Sequence, residues 1–429
     1  MKKVLIITYY WPPSGGAGVQ RWLKLSKYLA KEGVEVHVLT VDPAKASYNV
    51  IDEKLNNDVH NKVMVYKTDT CEPLNFYSKI VGKSNVPKSG FSNVSKHSFK
   101  IKIAAFLRSN IFIPDPRKGW YKYGLKKAKY LIKQKGIKHV ITTSPPHSVQ
   151  MIGLKLKELY AEKIKWISDL RDPWTDIYYY PLLNHSFYSR RIDRKYEKNV
   201  IEKCDVLLTL GETFKRTFIS KSKHSIEKKI VLFSNGYDPE DFKRIKIKED
   251  KSKYTITYTG TMADSYEPEI FFDALEKLTK KYYKDTFELK MVGSITDEIK
   301  KKLIIRFKNK VSFIPLVSHS EALVYMCNAD LLLVVTPGET GPVPGKIFEY
   351  IAANKPIIGI GKGDMADLLI KTKSGRAFSR TENQDVFNYL NLLYLNYKNN
   401  VTFDQNKKIV NSLSVASNAR GMINSFLSD

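Results

Sequence analysis

Short apolar runs alternate along the chain with longer stretches in which apolar residues recur at helical spacing. The first run, Val4-Leu5-Ile6-Ile7, is β-rich and too apolar for a strand with one wet face, so it reads as a strand buried on both sides. After it, Val19, Trp22, Leu23, Leu25 and Leu29 mark one face of a helix that Gly33 ends, and residues 34–40 make the next strand. Further strands are expected at residues 63–66, 140–143, 165–168, 206–209 and 229–233, then at 255–258, 289–292, 311–313, 331–335 and 356–360. Strand, helix, strand repeated in this way predicts an α/β protein built on doubly wound parallel sheets. A charged stretch poor in apolar residues, 238–253, interrupts the pattern and reads as a linker. The expected organisation is a domain at 1–237, the linker, a second domain at 254–409 and a terminal helix at 410–429. Residues 70–120 break the regularity, and 82–90 read as a mobile loop.

Two of the strands empty into unusual loops. The run Leu331 to Val335 leads into Thr336-Pro337-Gly338-Glu339-Thr340-Gly341-Pro342-Val343-Pro344-Gly345, and a short helix begins at Lys346. A glycine- and proline-rich loop at a helix start leaves backbone N–H groups pointing at one spot, which suits a phosphate. Lys346 adds a cation there. Glu349, one turn later, lies on the same helix face and has a carboxylate to accept hydrogen bonds from sugar hydroxyls. The first strand likewise runs into Tyr9-Tyr10-Trp11-Pro12-Pro13-Ser14-Gly15-Gly16-Ala17-Gly18. Ligands of doubly wound sheets bind at the carboxyl ends of the strands, so both loops are expected on functional edges.

Charge changes this picture in one respect. The chain carries 71 Lys+Arg against 44 Asp+Glu, and residues 1–240 hold 43 of those bases against 22 of the acids. Basic residues crowd 122–138, follow at 155–165 and again at 190–195, and residues 99–113 mix them with Ile101, Phe106, Leu107, Ile111 and Phe112. Cations beside apolar side chains favour an anionic membrane surface, with an ordinary solvated helix face as the plain alternative. Nucleic acid is not expected as a partner, since no nucleic-acid-binding signature accompanies the charge. Cys71, Cys204 and Cys327 are widely spaced and read as buried thiols of a reducing compartment. With no apolar run long enough to span a membrane, the expected location is cytoplasmic, peripheral at the inner face of the membrane.

In order along the chain stand Pro12-Pro13-x-Gly15-Gly16-x-Gly18, Ser234-Asn235-Gly236-Tyr237-Asp238, Tyr258-Thr259-Gly260-Thr261 and Lys346-x-x-Glu349-Tyr350. Any one glycine loop is weak evidence. Together, in this order and at spacings that fit two similar domains, they closely resemble the retaining GT-B glycosyltransferases, family 4 type. The resemblance implies two Rossmann-like domains facing a central cleft, with the terminal helix crossing back to the first. It implies transfer of a sugar from a nucleoside diphosphate to a hydroxyl, with retention of configuration. The acceptor suggested is a glycan or lipid-linked glycan in capsule or lipopolysaccharide assembly. The resemblance puts Gly15, Gly16, Gly18, Gly260, Thr261, Glu339, Thr340, Gly341, Pro342, Val343, Lys346 and Glu349 at the nucleotide-sugar. The chain departs from the family where relatives place an arginine and a lysine after the glycine of the second domain: here stand Met262, Ala263 and Asp264. The first acid of the family's Glu-x7-Glu pair would fall on Gly341, with Glu339 two residues early.

Asp169-Leu170-Arg171-Asp172 closes a strand with two carboxylates around an arginine, a costly cluster unless it is used or internally paired. Either carboxylate suits the acceptor's proton, Asp169 being the first choice, with Arg171 holding it in place or neutralising both. His147, in Ser144-Pro145-Pro146-His147, and Trp174 are candidates for the acceptor or sugar. No Asp-x-Asp occurs, so neither a metal nor a cofactor is expected, and Lys346 is expected to meet the charge of the departing diphosphate. Without a well-placed nucleophile, same-face attack is preferred to double displacement. The competing readings are a GT-B nucleotide-sugar epimerase, a GT-B scaffold without turnover and a basic nucleic-acid-binding protein.

Overall fold

A computed structural model describes residues 2–427, apart from 49, 73–105, 107–108, 178–179, 244, 248–251, 267, 283, 285 and 340–342. The expected loop at 82–90 and most of the mixed stretch at 99–113 lie outside the described residues. So do Thr340, Gly341 and Pro342. Thirteen strands form two sheets: β1 Lys3–Ile7, β2 Glu35–Val41, β3 Met64–Thr68, β4 His139–Ser144, β5 Lys165–Leu170, β6 Val206–Thr209 and β7 Ile230–Leu232, then β8 Tyr254–Thr259, β9 Phe287–Val292, β10 Val311–Ile314, β11 Leu331–Val335, β12 Ile357–Ile360 and β13 Gly375–Phe378. The first sheet runs β3-β2-β1-β4-β5-β6-β7 and the second β10-β9-β8-β11-β12-β13. Pairing is parallel on both sides of β1 and of β8. Each sheet therefore grows outward in one direction, returns to its first strand and grows the other way.

The chain divides into two compact units, Met1–Ser234 with Asn418–Asp429, and Asn235–Ser417. Both are cored alike. Along β11, Leu331, Leu333 and Val335 face one cluster with Phe271, Leu275 and Leu390, while Leu332 and Val334 face another with Ile347, Ile351 and Leu369. Side chains of period two on a sheet covered by helices on both faces are favoured when apolar at every position, which is why β11 is a continuous apolar run. In the first unit, Leu5, Ile7, Leu39 and Val140 pack under the helices Tyr121–Lys135 and Ser148–Tyr160. The final helix, Val415–Ser425, donates from Asn418 to the carbonyl of Ser234 at 3.2 Å and brings Arg420 to Glu32 at 3.3 Å.

Two features differ from expectation. Cys71 is exposed, while Cys204 and Cys327 are buried thiols as read. The charged stretch after Asn235 contains a short helix, Pro239–Phe242, capped by Asp238. Among the described residues, no helix is long and apolar enough to cross a membrane.

One glycine tests the packing of the first unit. A Cβ on Gly153 would lie 2.2 Å from Nε1 of the buried Trp166, which donates to Oγ1 of Thr142 at 2.8 Å. Gly153→Ala should therefore destabilise the first unit by about 1–3 kcal/mol through overpacking. Urea unfolding followed by tryptophan fluorescence reads this, and an unchanged midpoint would show that the helix shifts freely.

Candidate active site

In the first unit, three chain segments meet at the carboxyl edge of the sheet, where the strand order reverses between β1 and β4. Gly16 enters the helix Ala17–Lys31 at φ 92°, a conformation that favours glycine, and the helix start has neither a side-chain cap nor an acid in its first turn. Gly15 is packed tightly, since a Cβ there would come within 2.9 Å of Val50. Gly18 keeps the first turn open to Arg171: its missing Cβ would lie 3.8 Å from Nη2 of that guanidinium. Arg171, at the end of β5, donates from Nε to the carbonyl of Ser144 at the end of β4, at 3.2 Å. No carboxylate among the described residues forms an ion pair with it.

Asp169 is occupied by other work. Arg21 grips it with Nε to Oδ2 at 3.0 Å and Nη2 to Oδ1 at 2.9 Å, and Trp22 and Thr143 add hydrogen bonds at 2.7 and 2.9 Å. The carboxylate is 0% exposed. Both oxygens are therefore committed to joining the first helix to β4 and β5, and Arg21, not Arg171, neutralises the charge. This corrects the expectation that Asp169 accepts the acceptor's proton. Asp172 is different: it is partly exposed, and no described residue hydrogen-bonds its side chain. Burial pushes its carboxyl above the usual range, partly offset by Arg171.

Trp174 also departs from expectation. It is 1% exposed, its indole donates to Asp193 at 2.7 Å, and its ring stacks on His147 at 4.5 Å between centroids and 7° between planes. A ring so enclosed offers no face to a sugar. His147 keeps the loop after β4 in place through that stack, with its Nδ1 buried and without a partner. Burial, with Arg171 and Lys221 nearby, pushes its imidazole down to about 3. Beneath Trp174 lies an acid pair that sequence reading missed. Asp193 is bonded by Tyr180 at 2.9 Å and pushed up to about 7 by burial, and Glu197 is paired with Lys221 at 2.6 Å.

In the second unit the corresponding reversal lies between β8 and β11. Gly260 leaves β8 at φ 108°, and the Nζ of Lys346 would lie 3.5 Å from a Cβ there. That Nζ donates to the carbonyl of Thr259 at 2.5 Å and sits 3.5 Å above the ring of Tyr258. No carboxylate among the described residues pairs with it, and burial pushes the amine well below its ordinary value. Tyr350 fixes the same strand end, accepting from the N–H of Thr259 at 2.8 Å, while the Tyr258 hydroxyl donates to the carbonyl of Thr261 at 2.5 Å. The helix that carries Glu349 and Tyr350, Ile347–Ala352, is short. Glu349 is partly exposed, and Nε2 of His319 lies 2.7 Å from its Oε1. Val343 packs against the core beneath.

Glu339 folds back on Arg380, which reaches its Oε2 at 3.3 Å and donates to the carbonyls of Gly338, Tyr266 and Thr336 at 2.7–2.8 Å. Its carboxyl lies below the ordinary value, because hydrogen bonds from Ser379 and Arg380 outweigh the upward push of burial. Its Oε1 is buried and has no hydrogen-bond partner among the described residues. Arg380, absent from the sequence reading, thus shapes the loop after β11 from the far end of β13.

This pair of sheets is shared with solved structures along the whole chain. HepE of Anabaena, in complex with UDP and glucose, superposes with a TM-score of 0.61 at 12% identity, over 99% of each chain. The sucrose-phosphate synthase of Thermosynechococcus elongatus gives 0.64 at 14% identity, over 99% of this chain and 98% of that one. WaaG, a glycosyltransferase involved in lipopolysaccharide biosynthesis, gives 0.53 at 13% identity, over 98% and 95%. The fold is GT-B. Residues 239–410, most of the second unit, match the family model of glycosyl transferases group 1. No curated protein matches the chain.

Two measurements test how the GT-B edge of the first unit is held. Asp169→Ala leaves the buried Arg21 uncompensated and should cost about 3–5 kcal/mol in urea unfolding. A loss below about 1 kcal/mol would mean that water replaces the carboxylate. His147 stays uncharged in the folded chain down to about pH 3, whereas in the unfolded chain it takes up a proton near its ordinary 6.5. The unfolded state then binds more protons, so this residue's stabilisation is complete above 6.5 and falls as pH drops from 6.5 toward 3. His147→Phe should flatten the fall in stability between pH 6.5 and 5 by up to about 1 kcal/mol per pH unit. Parallel slopes for the two proteins would place the imidazole in contact with water.

Proposed function

We propose that this chain is a retaining, metal-independent glycosyltransferase that moves a sugar from a nucleoside diphosphate to the hydroxyl of a lipid-linked glycan. The observation that carries the reading is Lys346. Even a partly buried ammonium normally has a carboxylate partner, because desolvation otherwise makes it expensive. Here Nζ has a carbonyl and an aromatic face, beside a glycine that leaves room above it. Such an amine gains most from an anion that arrives with the ligand. The diphosphate is that anion in this reading, and the match of residues 239–410 to glycosyl transferases group 1 supports the choice.

The chemistry follows from where charge develops. The bond from the anomeric carbon to the diphosphate oxygen breaks, and Lys346 meets the charge left on that oxygen. Glu349 and Oε1 of Glu339 accept from donor hydroxyls, and Gly260, Thr261 and Val343 lie along the donor. In the first unit Gly15 anchors the loop by donating its N–H to the carbonyl of Val50 at 2.9 Å, Gly16 and Gly18 keep the helix start uncrowded by side chains, and Arg171 adds a cation. The acceptor oxygen bonds the anomeric carbon on the face the diphosphate leaves, and its proton passes to the diphosphate or to Asp172. With Asp169 committed to Arg21, Asp172 is the carboxylate of choice. Same-face attack preserves the configuration.

A lipid-linked acceptor calls for a membrane surface, and the helix Phe187–Lys203 offers one. Phe187 and Tyr188 are 70% and 77% exposed, and Arg191, Ile192, Arg194 and Lys195 are exposed beside them. Aromatic side chains at the interface with cations alongside suit anionic headgroups at the cytoplasmic face.

A thermal-shift panel of UDP, GDP, dTDP and ADP with their sugar conjugates tests the donor. One nucleotide family should raise the melting temperature by several degrees. Lys346→Ala should abolish the shift, Glu349→Ala should reduce it, and Lys346→Ala should lower kcat by about 100–1,000-fold. No shift with any nucleotide would sink the transferase reading. For the surface, Phe187→Ser with Tyr188→Ser should release the protein from phosphatidylglycerol vesicles, and equal binding to phosphatidylcholine vesicles would argue against an electrostatic contribution.

A further inference from the structure

Glu349 has a second neighbour that the nucleotide-sugar motifs do not include. His319 opens the helix His319–Cys327, whose capping box of Ser318 and Glu321 holds that helix start in one conformation. From there its Nε2 lies 2.7 Å from Oε1 of Glu349, and its Nδ1 lies 3.9 Å from Oδ2 of Asp241 in the short helix Pro239–Phe242. One imidazole thus stands between two carboxylates carried by separate helices of the second unit. About a quarter of each of the His319 and Glu349 side chains is exposed, 25% and 22%, so the pair borders solvent instead of filling the core.

We infer that His319 is a positioning residue for nucleotide recognition, and that it acts by fixing the carboxylate of Glu349. The inference rests on the donor reading above and assigns that site a part the motifs do not contain. A free glutamate at the start of a short helix samples several rotamers, and binding a ribose diol requires one of them. With Nε2 on Oε1, the other oxygen, Oε2, is left to accept from the vicinal hydroxyls. Asp241 acts on the opposite side of the ring. With Nε2–H donating to Oε1 of Glu349, the Asp241 carboxylate 3.9 Å from Nδ1 favours the same ring orientation from the other side, as a second partner does for a ligating histidine.

The ligand discrimination this confers is specific. The partner chemistry is the ribose of a nucleoside diphosphate, so removing its hydroxyls removes what His319 contributes. Isothermal titration of the full chain with UDP, GDP and ADP, and with their 2′,3′-dideoxy counterparts, reads it directly. Wild type should bind one ribonucleotide about tenfold more tightly than its dideoxy form. His319→Ala should lose that discrimination and bind the dideoxy form as wild type does. Gln places an amide near the position of Nε2, and His319→Gln should restore most of the preference. Added to Glu349→Ala, His319→Ala should cause no further loss, because both act on one interaction. Equal weakening of ribo and dideoxy forms, or additive losses in the double variant, would overturn the positioning role and leave the donor reading standing. Absence of any nucleotide binding by wild type would overturn both. The melting temperature of ligand-free His319→Ala, expected unchanged, separates these outcomes from simple misfolding.

Discussion

A parallel sheet that grows outward, returns to its first strand and grows the other way cannot cover the carboxyl ends of the two strands where it turns back. The chains leaving those strands pass to helices on opposite faces, and a crevice opens between them. This constraint operates twice here, between β1 and β4 and between β8 and β11. At each reversal the chain puts a glycine with positive φ, Gly16 after β1 and Gly260 directly after β8. At each it also sets a cation without an ion-pair partner among the described residues, Arg171 and Lys346. The remaining features of the two edges serve to hold these groups still.

The two units do so by different means. The first uses a buried ion pair: Arg21 on the opening helix and Asp169 on β5 fasten the helix start to the sheet with two direct hydrogen bonds, reinforced by Trp22 and Thr143. Such a pair adds little net stability, because desolvation consumes most of the attraction, but breaking it is costly, and its geometry fixes the register of helix on strand. The second unit uses aromatic hydroxyls. Tyr258 and Tyr350 tie the end of β8 to itself and to the helix that follows Lys346, and the amine lies 3.5 Å from the ring centre of Tyr258 and 5.9 Å from that of Tyr350.

How much of this was legible depended on the range of the interaction. Strands buried on both faces announce themselves locally, and β11 was readable because every one of its residues is apolar. Lys346, Glu349 and Tyr350 fall within one helical turn of each other, so their relation was visible in spacing alone. Asp169 and Arg171 were misleading for the same reason. They are close in sequence, yet the arginine that neutralises Asp169 is Arg21, 148 residues away, and nothing local marks that pairing. Trp174 shows a different limit. An aromatic residue at a strand end suits either a sugar or the core, and only the buried acids Asp193 and Glu197, on a helix beyond the next loop, assign it to the core. His319 lies 30 residues before Glu349 in a segment without a motif, so only the fold brings them together.

The placement of charge also bears on selectivity. Asp169, Glu197 and Glu339 each have a basic partner, whereas the amine of Lys346 meets a carbonyl and the face of Tyr258. Burial disfavours the charged form of this amine. A diphosphate reverses that balance, because it offers a low-dielectric ion pair to the ammonium and nothing comparable to the neutral amine. Diphosphate binding and protonation of Lys346 are therefore linked in this reading, each favouring the other. A neutral sugar of the same shape gains nothing from the linkage. In the proposed reading, the cost of keeping a partly buried lysine without an acid is also the source of discrimination for the anionic end of the donor, while Glu349, held by His319, attends to its hydroxyls.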